Sequence, residues 1–220
     1  MKLAISGASG KTGFRIAEEA ISRGHQVTLI TRKSSSLPET LSNCKRRDVS
    51  LCNSKEIDEA LSGNEGLIIA TGARPSIDLT GPAKVDALGV KKQVKSAERV
   101  GIKRLVLVSS LCTGKLFHPL NLFGLILLWK RVGEDVIEKS SLEWTIVRPG
   151  GLNENEEDIE NQQLVYTKEN TQLEGYIPRR LVARCCVECL STPVSINKII
   201  EITSNSHQQK RSLKEAILDF

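Results

Sequence analysis

Aromatic side chains are scarce in this chain of 220 residues, at 4% of positions. Platforms that stack single-stranded nucleic acid are built from aromatic faces, so that class of partner is disfavoured. Three histidines, His25, His118 and His207, stand apart and supply no zinc constellation. The longest apolar stretch, 116–129, is interrupted by His118, Pro119 and Asn121 and is too short to span a bilayer. It reads as the start of a buried helix, with a peripheral membrane contact as the alternative. No leader fits before the first core strand, which begins at Met1, so the reading predicts a cytoplasmic protein. Repeats, linkers and low-complexity blocks are also missing. One domain over 1–220, with a small substrate-side segment within 150–180, is the economical expectation.

Cysteine is present but not in a framework. The six residues stand at 44, 52, 112, 185, 186 and 189. Cys186 and Cys189 form a lone C-x-x-C with no second pair, on a helix whose core stripe is Leu181, Val182, Cys185 and Cys189. Small buried thiols are expected there, not a metal or redox site. The net charge of +5 comes from scattered cations, among them Lys84, Lys91, Lys92 and Lys95 along one helix. A nucleic-acid surface would need a clustered footprint, so no nucleic-acid partner is expected.

What the chain does have is a glycine turn at its start. Gly7, Gly10 and Gly13 lie between an apolar run, Leu3-Ala4-Ile5, and an amphipathic stretch carrying Ile16, Ala17, Ala20 and Ile21. Strand, glycine turn and helix in that order form a dinucleotide fingerprint. Gly7 lets the chain turn, Gly10 lets backbone approach a pyrophosphate, and Gly13 lets the helix pack on the sheet. Ser9, Lys11 and Thr12 complete the turn, whose helix end favours anions. A P-loop is excluded, because Ile5 stands where its first glycine belongs.

Downstream, strands and helices alternate. Strands are expected at 27–31, 44–49, 67–70, 105–108, 144–147 and 198–202. Helices are expected at 54–61, 82–100, 122–140, from Pro178, and 212–220. The pattern predicts an α/β doubly wound parallel sheet of about seven strands, a Rossmann fold. Residues 71–75 read as a loop. Residues 154–160, with five acids in seven, read as an exposed loop.

Ligands of such sheets bind at the carboxyl ends of the strands. After the second strand stand Arg32 and Lys33, where an acid would hold the ribose of NAD. Arg32 suits a 2′-phosphate and selects NADP(H). Asp48 and Val49 follow the third strand, facing adenine. Ala70, Thr71 and Gly72 follow the fourth. Ser109 and Ser110 follow the fifth, and Pro149, Gly150, Gly151 and Leu152 the sixth; these last two sets would flank the nicotinamide.

These motifs, with Leu128-Trp129-Lys130 and the run Trp144 to Leu152, resemble an atypical, extended-type short-chain dehydrogenase/reductase of the NmrA-like branch. The likeness covers nearly the whole chain. It is strongest to small NADP-binding proteins of plant plastids and cyanobacteria, and more distant to flavin/biliverdin-IXβ reductases. The resemblance implies bound NADP(H) and puts Lys130 at the family's catalytic lysine, touching the nicotinamide ribose. The chain departs from the Tyr-x-x-x-Lys pair, because Ile126 stands where tyrosine belongs. Ser109 and Lys130 are left as the catalytic candidates. The expected activity is NADPH-dependent reduction of a small-molecule acceptor: a flavin, a quinone or a small carbonyl. The acceptor is expected between 109–113, 116–122, Lys130 and the loop after Gly151. The alternative is a protein that senses NADP(H) or docks a partner without turnover.

Overall fold

In the computed structural model the described residues are 1–73, 79–122, 124–157 and 159–220. Arg74, Pro75 and Asp158, which belong to the loops expected at 71–75 and 154–160, lie outside them. Apolar β-branched runs form the central strands: β1 (Lys2–Ser6), β2 (Gln26–Thr31), β4 (Gly66–Ile69), β5 (Arg104–Val108) and β6 (Glu143–Pro149). Buried on both faces, they read as near-continuous hydrophobic stretches. The short β3 (Lys45–Asp48) and the longer β10 (Lys198–Asn205) flank them, and β8 (Gln163–Lys168) closes the far edge. The order is β3-β2-β1-β4-β5-β6-β10-β8, parallel throughout except for the antiparallel β10–β8 pair. Chain order reverses between β1 and β4, which makes their carboxyl ends the expected ligand crevice.

Helices cover both faces. On one side α1 (Gly13–Ser22), α5 (Arg179–Leu190) and α6 (Leu213–Leu218) bury Ile16, Ala17, Ala20, Val182, Cys185 and Ile217 against the sheet. On the other, α2 (Ser54–Leu61), α3 (Val90–Val100) and α4 (Ile126–Glu138) bury Ile57, Leu61, Val94, Ala97 and Ile137. Each such Val, Leu or Ile side chain contributes roughly 1.5–3 kcal/mol when fully buried. The helix ends follow from sequence: Asn53 accepts from the N–H groups of Lys55 and Glu56, and Ser212 and Glu215 form a reciprocal capping box. Cys185, Cys186 and Cys189 are buried on α5. A hydrogen bond to Cys189 together with burial pushes the Cys185 thiol up, and burial, then the neighbouring Cys189, pushes Cys186 up, as inert core thiols require.

Four features differ from the sequence expectations. The sheet has eight strands, because β8 adds an antiparallel edge to the seven parallel ones. Two short strands, β7 (Gly151–Asn153) and β9 (Tyr176–Pro178), pair as a separate two-stranded sheet within 150–180. The helix expected at 82–100 begins as a wide π-helical turn, Ala83–Gly89, before α3. The helix expected from Leu122 begins at Ile126. Asn121 explains that start: its Oδ1 accepts from Leu127 N–H at 2.9 Å, while its amide donates to the carbonyls of Lys115 and Leu116. Leu125 just before the helix is left-handed, at φ 57°. Leu122 and Leu125 are therefore exposed and not part of the core. Among the described residues, no helix is long and apolar enough to cross a membrane.

Candidate active site

The glycine turn does what its spacing demands. Gly7 leaves β1 at φ +87°, and a Cβ there would lie 2.8 Å from the backbone of Ala70 and Thr71. Only glycine meets both conditions. At Gly13 a Cβ would run into the Gly7 carbonyl, so the first turn of α1 packs directly on the turn. Gly10 differs: a Cβ there would meet nothing within 4 Å except Gly7 O, at 3.2 Å. That contact is close, and beyond it Gly10 faces the cavity that it lines. Among the described residues no side chain caps α1; Phe14 N–H donates to the carbonyl of Gly10 at 3.0 Å, and the positive end of the helix favours an anion.

A cavity of about 320 Å³ opens beside this turn. Of the sequence-predicted residues, Gly7, Ser9, Gly10, Arg32, Val49, Ala70, Thr71 and Gly72 line it. Ser6, Thr31, Leu51, Ala73 and Val85 line it too and were not predicted. The hydroxyls of Ser6 and Thr71 are buried and have no hydrogen-bond partner among the described residues. Such atoms are costly unless a ligand or water satisfies them. With the positive end of the helix and Gly10 on the cavity, they fit a dinucleotide: pyrophosphate at the turn, an adenosine between Val49 and Leu51, and ribose hydroxyls for Ser6 and Thr71.

Arg32 reaches this cavity on a loop that Arg46 holds. Arg46 Nη2 donates to the carbonyl of Ser35 at 3.0 Å, and its Nε donates to Asp48 Oδ1 at 2.8 Å. Thr31 Oγ1 also donates to Asp48, at 2.9 Å. Hydrogen bonds from Arg46, then Thr31, hold the Asp48 carboxyl below the usual carboxylate range. Asp48 therefore ties the loop down, and it is not among the residues that line the cavity.

The second half of the site lies at the ends of β4 and β5. A narrow crevice brings together Thr71, Asp86, Ser109 and Lys130. Lys130 Nζ donates to Asp86 Oδ1 at 2.8 Å, and Ala73 N–H donates to Asp86 Oδ2 at 3.0 Å. Asp86 is 3% exposed. Ser109 Oγ lies 3.3 Å from Thr113 Oγ1, and that threonine donates to the carbonyl of Ser110 at 2.6 Å. With its one proton committed there, Thr113 is left to accept from Ser109. Asp86 is absent from the sequence prediction. Its signal was an acid beside the apolar stripe of Ala87, Val90 and Val94.

Several predicted residues stand outside both spaces. Lys11 pairs with Glu154, and Arg15 with Glu156, so the acidic loop folds back on the start of α1. The Lys11 hydrogen bond holds the Glu154 carboxyl below its ordinary range. Thr12 and Gly13 serve the helix start, and Lys33 is exposed on the loop under Arg46. Ser110 lends its carbonyl to Thr113, and Pro149 its carbonyl to Leu111 N–H. Gly150 packs on Gly175, where a Cβ would lie 2.5 Å from the carbonyl, and Gly151 packs under the Tyr176 ring. Leu152, Leu116 and Phe117, expected as acceptor walls, are exposed, whereas Leu111 is buried. Ile126 is buried at the head of α4, an apolar packing side chain in the family's tyrosine position. Tyr166 is no substitute: burial in the β8 edge pushes its phenol up. Among the described residues no cluster could hold a metal ion.

Comparison with known proteins agrees with the fold and with a nucleotide-binding domain. The family model for NAD(P)H-binding domains matches residues 7–193. An uncharacterized chloroplastic protein of Arabidopsis thaliana is 36% identical over 97% of this chain and 80% of its own length. The sanguinarine reductase of Eschscholzia californica is 27% identical over 98% of this chain and 92% of its own. Longer relatives exist: the chain spans 42% of the chloroplastic protein TIC 62 of pea, at 29% identity. Among solved structures, an oxidoreductase of Lactococcus lactis has a TM-score of 0.80 at 23% identity, with 100% of this chain and 96% of that chain covered. A wide-type short-chain dehydrogenase/reductase of Veillonella parvula, in complex with NADP, has a TM-score of 0.75 at 19% identity over 96% of this chain and 99% of that one. The chain belongs to the NAD(P)H-binding family.

Proposed function

We propose that this protein is an NADPH-dependent reductase of a flat, weakly polar acceptor such as a flavin, a quinone or a small carbonyl compound. The observation that carries the reading is the juxtaposition of Thr71, Ser109 and Lys130 at one crevice directly beyond the dinucleotide cavity. The glycine turn would hold the pyrophosphate and Arg32 the 2′-phosphate; Thr71 and Lys130 would face the nicotinamide half. NADPH, when bound, supplies a hydride, and one proton added to the acceptor balances the two-electron reduction.

The chain's own groups shape what is reduced. Ser109 offers a hydroxyl donor to an acceptor oxygen or ring nitrogen, by turning its proton from Thr113. A buried Ile126 leaves no phenol beside Lys130, so acceptors that take their proton from water suit the site better than alcohols that need a base. Val90, Leu107 and Val108, which line the crevice, suit an apolar ring better than a sugar. A second reading, NADP(H) sensing or partner docking without turnover, draws on Ile126 and on the narrowness of the crevice. Stopped-flow mixing of the NADPH complex with a panel of flavins, quinones and small carbonyls separates the two. The reductase reading expects single-turnover loss of NADPH absorbance with at least one class; loss with none supports the sensing role.

A further inference from the structure

The Lys130–Asp86 pair is more than a local ion pair, because of where it sits. A Cβ built on Gly72 would lie 3.7 Å from both Asp86 Oδ1 and Lys130 Nζ. The pair thus abuts the backbone at the end of β4. Gly72 lines the large cavity, while both charged residues line the crevice beyond it. The π-helical turn Ala83–Gly89 carries Asp86, and wide turns of this kind re-aim one side chain off the α-helical register. Gly133 of α4 lets the two elements close up: any side chain there would strike the Asp86 carbonyl. Two glycines and an irregular helix are therefore arranged around one carboxylate, which binds Ala73 N–H with one oxygen and Lys130 with the other.

We infer that Asp86 is a positioning residue whose charge offsets Lys130, so that the site holds oxidised and reduced cofactor with comparable affinity. The inference rests on the placement of the nicotinamide half beside Lys130. The oxidised nicotinamide ring is a cation and the reduced ring is neutral. An uncompensated ammonium in this half-buried setting, where Lys130 is 16% exposed, would discriminate against the cation. With Asp86 at 2.8 Å the two formal charges nearly cancel at the ring. Lys130 can then orient the cofactor without trapping the reduced form or expelling the oxidised one, and exchange after each turnover stays balanced.

The test needs no turnover. NADPH and NADP⁺ affinities are measured by fluorescence titration and competition, at one pH, for the wild type, Asp86→Asn, Lys130→Met and the double variant. Asp86→Asn leaves a bare ammonium, and the ratio Kd(NADP⁺)/Kd(NADPH) should rise about tenfold. Lys130→Met leaves a bare carboxylate, and the ratio should fall by about the same factor. The double variant should return to within about threefold of wild type, because the net charge is restored. Opposite signs are what a merely structural role does not produce, since loss of packing weakens both nucleotides together. Equal losses for both forms, or single variants shifting the ratio the same way, would overturn the inference. Unchanged ratios alongside an intact effect of Arg32→Ala on NADPH binding would also overturn it, while leaving NADPH binding itself standing. An acceptor panel without turnover would instead defeat the reductase reading and leave these ratios valid.

Discussion

The two ends of the candidate site treat their polar atoms differently. Beside the glycine turn, the hydroxyls of Ser6 and Thr71 are buried without partners among the described residues, no side chain of those residues caps α1, and Gly10 lines the cavity. Beyond Thr71 the groups are already partnered: Lys130 with Asp86, and Ser109 with Thr113. The first end is a cavity lined by unpartnered hydroxyls, which would suit phosphate and ribose. The second is a set of charges and hydroxyls that hold one another in place. Binding energy should therefore come from the first end and chemical selectivity from the second. Substitutions at the two ends should separate affinity from rate.

The largest expected effect attacks the open end. Gly10→Val puts a branched side chain where a pyrophosphate would lie and should weaken NADPH at least ~100-fold, yet leave circular dichroism and melting close to wild type. Gly13→Val, three residues away, should damage both binding and stability, because its side chain has no room against Gly7. Similar melting temperatures for the two variants would break the distinction between a ligand gap and a packing contact.

At the partnered end, Ser109→Ala should slow acceptor reduction about 10- to 1000-fold by removing one donor, with NADPH affinity nearly unchanged. Stopped-flow rates and equilibrium titration on the same samples check both halves. A matching loss of affinity would mean that Ser109 belongs to the binding end.

Arg32→Ala sharpens the comparison within the open end. One charge-assisted pair is worth roughly 1.5–3 kcal/mol, so the variant should erase about a tenfold preference for NADPH over NADH. Calorimetry with both nucleotides reads this directly, and a wild type without preference would remove Arg32 from the site. The smallest effect belongs to Glu154→Gln. Its pair with Lys11 is half-exposed on both sides, so stability should change by less than about 0.5 kcal/mol in a thermal melt.

The open end was largely legible in the sequence, because strand, glycine turn and helix are contiguous and each glycine has a local steric reason. Arg32 was legible for the same reason, as the first charged residue after β2. At the partnered end Thr71, Ser109 and Lys130 were legible from their places after the strands and in the family motif, whereas Asp86 was not. Asp86 reaches Lys130 across 44 positions of sequence and through a π-helical turn, which shifts a side chain out of the α-helical pattern that periodicity detects. The head of α4 was misjudged because Leu122 and Leu125 keep helical spacing, whereas the boundary is set by Asn121 bonding forward to Leu127. Strand β8 was missed because an edge strand is half-exposed; its place is fixed by pairing with β10, with Tyr166 opposite Ile202, and not by its own pattern. Strands β7 and β9 have three residues each, too few to carry a period.

Direct hydride transfer at the Ser109–Lys130 end is the central claim, and isotope transfer tests it most directly. The protein would be mixed with an acceptor from the reactive class and NADPH bearing deuterium on one or the other face of the nicotinamide C4, and the NADP⁺ formed weighed by mass spectrometry, because its C4 position does not exchange with water. An ordered site predicts that deuterium is lost from one face only and retained on the other. Equal loss from both epimers would contradict the account.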